Sequence, residues 1–240
     1  MADTRILRAA VVGLIRRAAM EDELLLLTTS GRDDAGDAHH WAPVPTVAHN
    51  THFKREQVSR LEAVLRRETP KEFAAVDHTS DATYRAFAAL DPAIVAETSR
   101  QTTDDLVDSL LRLANDDLID PGRHEWLRGR PLGLQVIVRG FWHPLGHVGD
   151  WYVANGRTDR GVALRRDTVA FTEYLHAPAE SQGMAWFSLA CTCSTLGTTE
   201  EAVVALQHAT TLNHDLRARV ATEPELEAVR RDRRVVALIG

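Results

Sequence analysis

The sequence is poor in cysteine and contains no long hydrophobic run. Its 240 residues include two cysteines, Cys191 and Cys193, which are too few for a disulfide framework and favour a reducing compartment. No apolar run approaches the ~20 residues that a membrane span requires. A short apolar run near the start is closed by Arg16 and Arg17 with no cleavage site after it, so we expect no signal peptide. These absences predict a cytoplasmic protein that does not contact a membrane.

Lysine is also scarce, and acidic residues outnumber basic ones. The formal net charge is −6, and Lys54 and Lys71 are the only lysines, while the arginines are interleaved with acidic residues. Nucleic-acid binding needs a basic face or stripe that neutralises phosphates, so we expect no nucleic-acid partner. The sequence also lacks a glycine-rich phosphate loop and a recognisable order of Ser, His and Asp for nucleophilic catalysis.

Helical periodicity runs through most of the chain, which predicts an all-α fold. Pro43 suits the first turn of a helix, the pair Asp91 and Pro92 indicates a break, and Thr103 is a candidate N-cap. A polar loop over residues 31–40 follows the first helix. The predicted helices cover residues 4–29, 43–68, 77–90, 103–114, 134–156, 183–196 and 201–209.

Two histidines lie four residues apart in the apolar segment 134–156. In a helix, His143 and His147 would share one face about 6 Å apart, a separation from which two imidazoles can bind one metal ion. A third ligand has to come from elsewhere, and His49, eight residues after Trp41, is the best candidate. His52, one turn further along, is the alternative.

The helix predicted over residues 134–156 has one apolar stripe. At about 100° per residue, His143 and His147 lie roughly opposite this stripe, so we expect them in a polar cleft or at the surface. Pro144 and the nearby glycines can bend the helix. The stripe consists of Leu134, Val138, Phe141, Leu145, Val148 and Tyr152.

Three motifs together resemble the DinB-like superfamily of four-helix bundles, and within it the ClbS/DfsB-type group. They are Trp41 followed by His49, the loop DPGRHEWLRGRPL, and the pair His143 and His147. The sequence departs from the family pattern at Pro45 and Pro144. The resemblance implies a bundle that holds a divalent metal ion, commonly zinc or nickel, through His49, His143 and His147.

The same resemblance implies a metal-dependent enzyme acting on a small-molecule substrate. The expected reaction adds water or a low-molecular-weight thiol to a small electrophile, as a hydrolase or a thiol transferase, with mycothiol or bacillithiol as possible co-substrate. Glu56 and Asp150 are the candidate catalytic carboxylates, because each could hold an imidazole tautomer or act as a general base.

The last third of the chain has a different pattern. Residues 183–214 resemble one helix pair of a tetratricopeptide repeat, and residues 221–238 resemble its closing segment. The large and small residues at the repeat spacings are Trp186, Leu189, Ala190, Gly197, Ala202, Leu206 and Ala209. We therefore expect a metal-binding bundle over residues 1–162 and a TPR-like segment over residues 163–240.

A single helix pair of this kind cannot bury its own apolar face. We expect the C-terminal helices to pack on their own bundle, to complete a homodimer or to bind a partner protein. The alternative function that follows is a non-catalytic adaptor, with a degenerate metal site and a partner-binding tail.

Overall fold

A computed structural model describes residues 4–28, 41–73 and 81–239 of the chain. The regular structure in these ranges consists of helices, without strands, and the all-α prediction is confirmed. None of the helices in these ranges is long and apolar enough to cross a membrane. The predicted loop 31–40 and the beginning of the helix predicted over 77–90 lie outside the described residues.

The chain divides into two compact units, Met1–Trp151 and Tyr152–Gly240. The helix Thr158–Tyr174 packs on the helix Ala179–Thr195, and both belong to the second unit. The division therefore falls before the helix Thr158–Tyr174, whereas the sequence placed the boundary inside it, after residue 162.

Three long helices form the centre of unit 1 and enclose its apolar core. α1, α2 and α4 pack against one another, and α1 and α2 also contact a π-helical turn that joins α6 to α7. In chain order the helices are α1 (Thr4–Leu27), α2 (Pro43–Leu65), α3 (Asp81–Ala88), α4 (Pro92–Arg112), α5 (Asn115–Ile119), α6 (Leu132–Ile137) and α7 (His143–Ala154), with the last residues of α7 in unit 2. The core includes Val11, Ile15, Leu61, Leu106, Leu110, Leu132 and Val136.

Helix α4 begins earlier than the sequence suggested. The side chain of Asp91 accepts hydrogen bonds from the backbone N–H groups of Ala93 and Ile94, at 2.7 and 3.3 Å. Pro92 occupies the first turn, where its missing N–H costs nothing. The pair Asp91 and Pro92 therefore starts a helix, and the prediction that Thr103 caps one is wrong, because Thr103 is buried in the middle of α4.

A π turn over Val138–Trp142 interrupts the predicted helix 134–156 without ending it. The N–H of His143 donates to the carbonyl of Val138, five residues back. The turn holds one residue more than an α-helical turn, so α7 is rotated by about 100° relative to α6. Pro144, which has no N–H to donate, is the second residue after this widened turn.

The buried stripe shifts by one residue at the π turn. Leu134 and Val138, predicted to be part of the stripe, are half-buried, whereas Val136 and Gly140 are buried. The helical period holds on both sides of the turn, but the predicted inward-facing positions are wrong before the turn and correct after it. The residues of the buried stripe are Leu132, Val136 and Gly140 before the shift, and Phe141, Leu145, Val148 and Tyr152 after it, with Pro144 and Gly149 buried beside them.

A buried ion pair joins α1 to α2. Lys54 Nζ lies 2.7 Å from one carboxylate oxygen of Asp22, and Asn50 Nδ2 donates to the other at 2.8 Å. All three side chains are 0% exposed. Each charge has lost its hydration, so the pair is stable only while both partners are present.

Unit 2 contains the helices predicted for the TPR-like segment. Its helices are α8 (Thr158–Tyr174), α9 (Ala179–Thr195), α10 (Thr199–Leu212), α11 (Leu216–Thr222) and α12 (Arg233–Ile239). α9 packs along α10, α8 packs on α9, and α12 packs on α10. The pair α9 and α10 thus has α8 and α12 as neighbours within unit 2, against which it can bury its apolar faces. Membership of the tetratricopeptide repeat family stays a prediction.

The two cysteines lie inside α9 as free, buried thiols. Burial raises the pKa of both thiols, and Glu225 raises that of Cys191 further. Neither side chain is therefore a thiolate near neutral pH, which agrees with the packing role expected from the sequence.

We predict that Lys54→Met lowers the free energy of unfolding of unit 1 by about 3–5 kcal/mol, because it leaves the Asp22 carboxylate buried without its counter-charge. Urea denaturation followed by circular dichroism measures the loss. Adding Asp22→Asn to Lys54→Met should restore part of it. Arg100→Met, which removes an exposed ion pair with Glu97, is the control and should change little. Equal stability of Lys54→Met and the wild type would contradict the role of the pair.

Candidate metal centre

Three histidines from two helices meet inside unit 1. His49 lies on α2, and His143 and His147 lie one turn apart on α7. One ligating nitrogen of each ring lies within 4.8 Å of the other two. The Nε2 atoms of His49 and His143 are 3.1 Å apart, and the ring centroids of His143 and His147 are 4.6 Å apart. The three residues that the sequence selected are thus brought together.

The spacing of these nitrogens fits a single metal ion. Zn–N bonds of about 2.0–2.1 Å at the tetrahedral angle place two ligating nitrogens about 3.3 Å apart. The 3.1 Å between His49 and His143 is close to this value. Imidazole is a good ligand for zinc and for nickel, and three protein ligands leave a further coordination position open. The three histidines could therefore hold a metal ion.

Aromatic rings surround His49. The ring of Trp41 makes an edge contact with it at 5.0 Å between centroids, and those of Phe53 and Phe87 contact it at 4.8 and 5.9 Å. His49 is 1% exposed, and His143 and His147 are half-buried. His49 is therefore enclosed by apolar rings and does not face a polar cleft or the surface, because α3 packs on α2 and brings Phe87 over it.

The predicted catalytic carboxylates lie in different environments. Glu56, on α2, is 6% exposed, and its carboxylate lies 3.3 Å from His52 and 3.9 Å from Arg60. Asp150 lies exposed on α7, three residues after His147. His52, the alternative ligand, points its Nε2 at Glu56. The roles of Glu56 and Asp150 stay predictions.

Phe53 and Arg139 adjoin the histidines and were not foreseen. The Phe53 ring lies 4.5 Å from the ring of His143, and the guanidinium carbon of Arg139 lies 4.4 Å from the centroid of the same Phe53 ring. Phe53 is four residues after His49, and Arg139 is four residues before His143. A search of the sequence for residues four positions from each proposed ligand would have identified both Phe53 and Arg139 as neighbours of the site.

The chain matches no protein-family model, no curated protein and no solved structure. The resemblance to the DinB-like superfamily therefore depends on the sequence motifs, and it stays a prediction. The positions of the helices and the geometry of the histidines do not depend on it.

We predict that zinc or nickel stabilises the protein through this histidine group. A free metal concentration of 100 times Kd should raise the free energy of unfolding by about 2.7 kcal/mol. His49→Ala, His143→Ala and His147→Ala should each greatly reduce the effect, measured as the shift in Tm of protein without a histidine tag. His124→Ala is the matched control, because His124 is half-buried in unit 1 and contacts the carbonyl of Asp117. Equal stabilisation of His49→Ala and the wild type would contradict the assignment.

Proposed function

We propose that this protein is a metal-dependent enzyme that adds water or a low-molecular-weight thiol to a small electrophilic substrate. The observation that carries the proposal is the convergence of His49, His143 and His147 at a spacing that fits one ion. Zinc or nickel, when bound there, lowers the pKa of a coordinated water or thiol and so supplies a nucleophile near neutral pH. Three protein ligands, which leave a position open, are typical of catalytic zinc sites and not of structural ones.

The aromatic residues around His49 position the ligand and exclude water. Trp41, Phe53 and Phe87 each contact the imidazole, so its ring has little freedom to rotate. A substrate entering between such rings would lose its hydration, which strengthens electrostatic interactions in the site. This environment favours a substrate with an apolar part.

Glu56 is the preferred general base in this proposal. It lies on the helix of His49, two turns further along, and is buried, whereas Asp150 is exposed. A proton accepted by Glu56 can pass to His52, whose Nε2 lies 3.3 Å away and whose side chain is 40% exposed. Through His52, a proton on Glu56 thus has a route to solvent.

A thiol nucleophile would have to come from a co-substrate. The two cysteines of the chain are buried in α9, and burial raises the pKa of both. A low-molecular-weight thiol such as mycothiol or bacillithiol is the kind of molecule that this role requires. Water is the nucleophile when no thiol is bound.

The reaction is tested by incubating metal-loaded protein with an epoxide, an activated ester and an α-halo ketone, with and without added thiol. Mass spectrometry of the products distinguishes hydrolysis from thiol addition. We expect turnover that requires the metal and falls about a hundredfold or more in His143→Ala. If protein with one bound equivalent of metal consumes none of these electrophiles, or if His143→Ala is fully active, the enzyme proposal fails and the adaptor is the better account.

We predict that Glu56→Gln lowers kcat by about 10²–10⁴-fold and leaves the metal content unchanged, because it removes the general base but no ligand. Asp150→Asn should have a smaller effect, since Asp150 is exposed. Glu62→Gln is the control on the same helix, where Glu62 accepts hydrogen bonds from Ser109 and Arg112. Full activity of Glu56→Gln would exclude Glu56 as the base.

A further inference from the structure

A strongly basic pocket lies in unit 1. Its volume is about 420 Å³, and Pro70, Trp126 and Leu127 form apolar parts of its wall. Among the lining residues that the structure describes, Glu72 is the one acidic side chain, against five basic ones. This local excess of positive charge contrasts with the net charge of −6 of the whole chain. The basic residues are Arg60, Lys71, Arg128, Arg130 and Arg139.

Two of these arginines are half-buried and repel each other. Burial lowers the pKa of Arg139, and the positive charge of Arg60 lowers it further, while Glu56 raises it. Burial likewise lowers the pKa of Arg60, and Glu56 again opposes this. Glu56 thus lies near both guanidinium groups. Its single negative charge balances only one of the two arginines, so the group as a whole keeps a net positive charge. An anion in the pocket would relieve this repulsion.

The backbone at the edge of the pocket is also held in an unfavourable conformation. Arg128 has φ +52° and ψ +48°, a left-handed conformation that residues other than glycine rarely adopt. Gly129 follows with φ +79°. Arg128 and Gly129 form this left-handed turn, and Arg128 and the next residue after the turn, Arg130, both line the pocket. Strained residues of this kind are concentrated at ligand-binding sites.

We propose that this pocket binds a small-molecule oxyanion, a carboxylate or a phosphate group. Guanidinium groups present paired N–H donors that match both oxyanions in a bidentate arrangement. The pocket is large enough for a small ligand, and its apolar wall can contact the rest of that ligand. The many basic groups favour a ligand with more than one negative charge.

Phe53 connects this pocket to the histidine group. Its ring contacts the guanidinium of Arg139, at 4.4 Å, and the ring of His143, at 4.5 Å. The identity of this oxyanion rests on the proposed function. In that function, the bound oxyanion is the acidic group of the substrate or of its thiol co-substrate. The anion site would then fix one end of that molecule while its reactive end reaches the histidines. Binding of the anion itself does not require the metal.

The anion site is tested by calorimetric titration of the full-length chain with inorganic phosphate and with malonate. The titration uses the metal-free double variant His143→Ala and His147→Ala, so that neither anion can bind through a metal. We expect saturable binding of one equivalent of at least one of the two anions. Preference for phosphate or for malonate identifies which oxyanion the pocket takes.

Arg139→Gln in the same background should weaken binding at least about tenfold, because it removes a charge-assisted hydrogen bond, and Arg60→Gln should do the same. Arg100→Gln, on the exposed side of α4, should leave the affinity unchanged. The Tm of the unliganded Arg139→Gln variant should be unchanged or raised, since a repelled charge is removed. A lowered Tm together with unchanged anion affinity would show a purely structural arginine and overturn the proposal.

The result also separates this site from the proposed enzyme. If the anions bind to metal-loaded wild type but not to the histidine variant, they bind at the metal, and the pocket assignment is wrong while the metal centre stands. If they bind to the histidine variant but the wild type has no metal-dependent turnover, the pocket stands and the proposed enzymatic function falls.

Discussion

One extra residue in a helical turn determines how α7 meets the rest of unit 1. The π turn over Val138–Trp142 lets Gly140 and Phe141, which are adjacent in sequence, both be buried. In an uninterrupted α-helix they would point about 100° apart, and the apolar residues of α6 and α7 could not share one buried face. The same turn fixes the direction of His143 and His147. π turns are frequent at functional sites, and this one lies directly before two of the three proposed ligands.

Helix α2 supplies the other half of the site, and the face beside its ligand is anchored to α1. On one face, Asn50 and Lys54 bind the buried carboxylate of Asp22 on α1. The adjacent face carries His49 and then Phe53, one turn further along. A helix whose rotation is fixed by a buried ion pair holds its ligand in a defined position, which a metal or catalytic site requires. The polar interior of unit 1 therefore supports the site as well as the fold.

The sequence was informative where residues depend on near neighbours. The spacing of His143 and His147 follows from local periodicity, as do most of the long helices, although the helix Thr158–Tyr174 and the first turns of α4 were not predicted. His49, eight positions after Trp41, was preferred to His52, and it is His49 that lies in the histidine group. Features set by tertiary packing could not be predicted. The π turn depends on the core, the aromatic surroundings of His49 depend on α3, and the basic pocket collects arginines from segments distant in sequence.

The central claim is that His49, His143 and His147 bind one divalent metal ion, and X-ray absorption at the metal edge tests it most directly. Protein loaded with one equivalent of zinc should show three imidazole nitrogens at about 2.0–2.1 Å and at least one further light ligand. His49→Ala should lose one imidazole from this shell. A sulfur ligand at about 2.3 Å, which would indicate Cys191 or Cys193, or a shell unchanged by His49→Ala, would contradict the account.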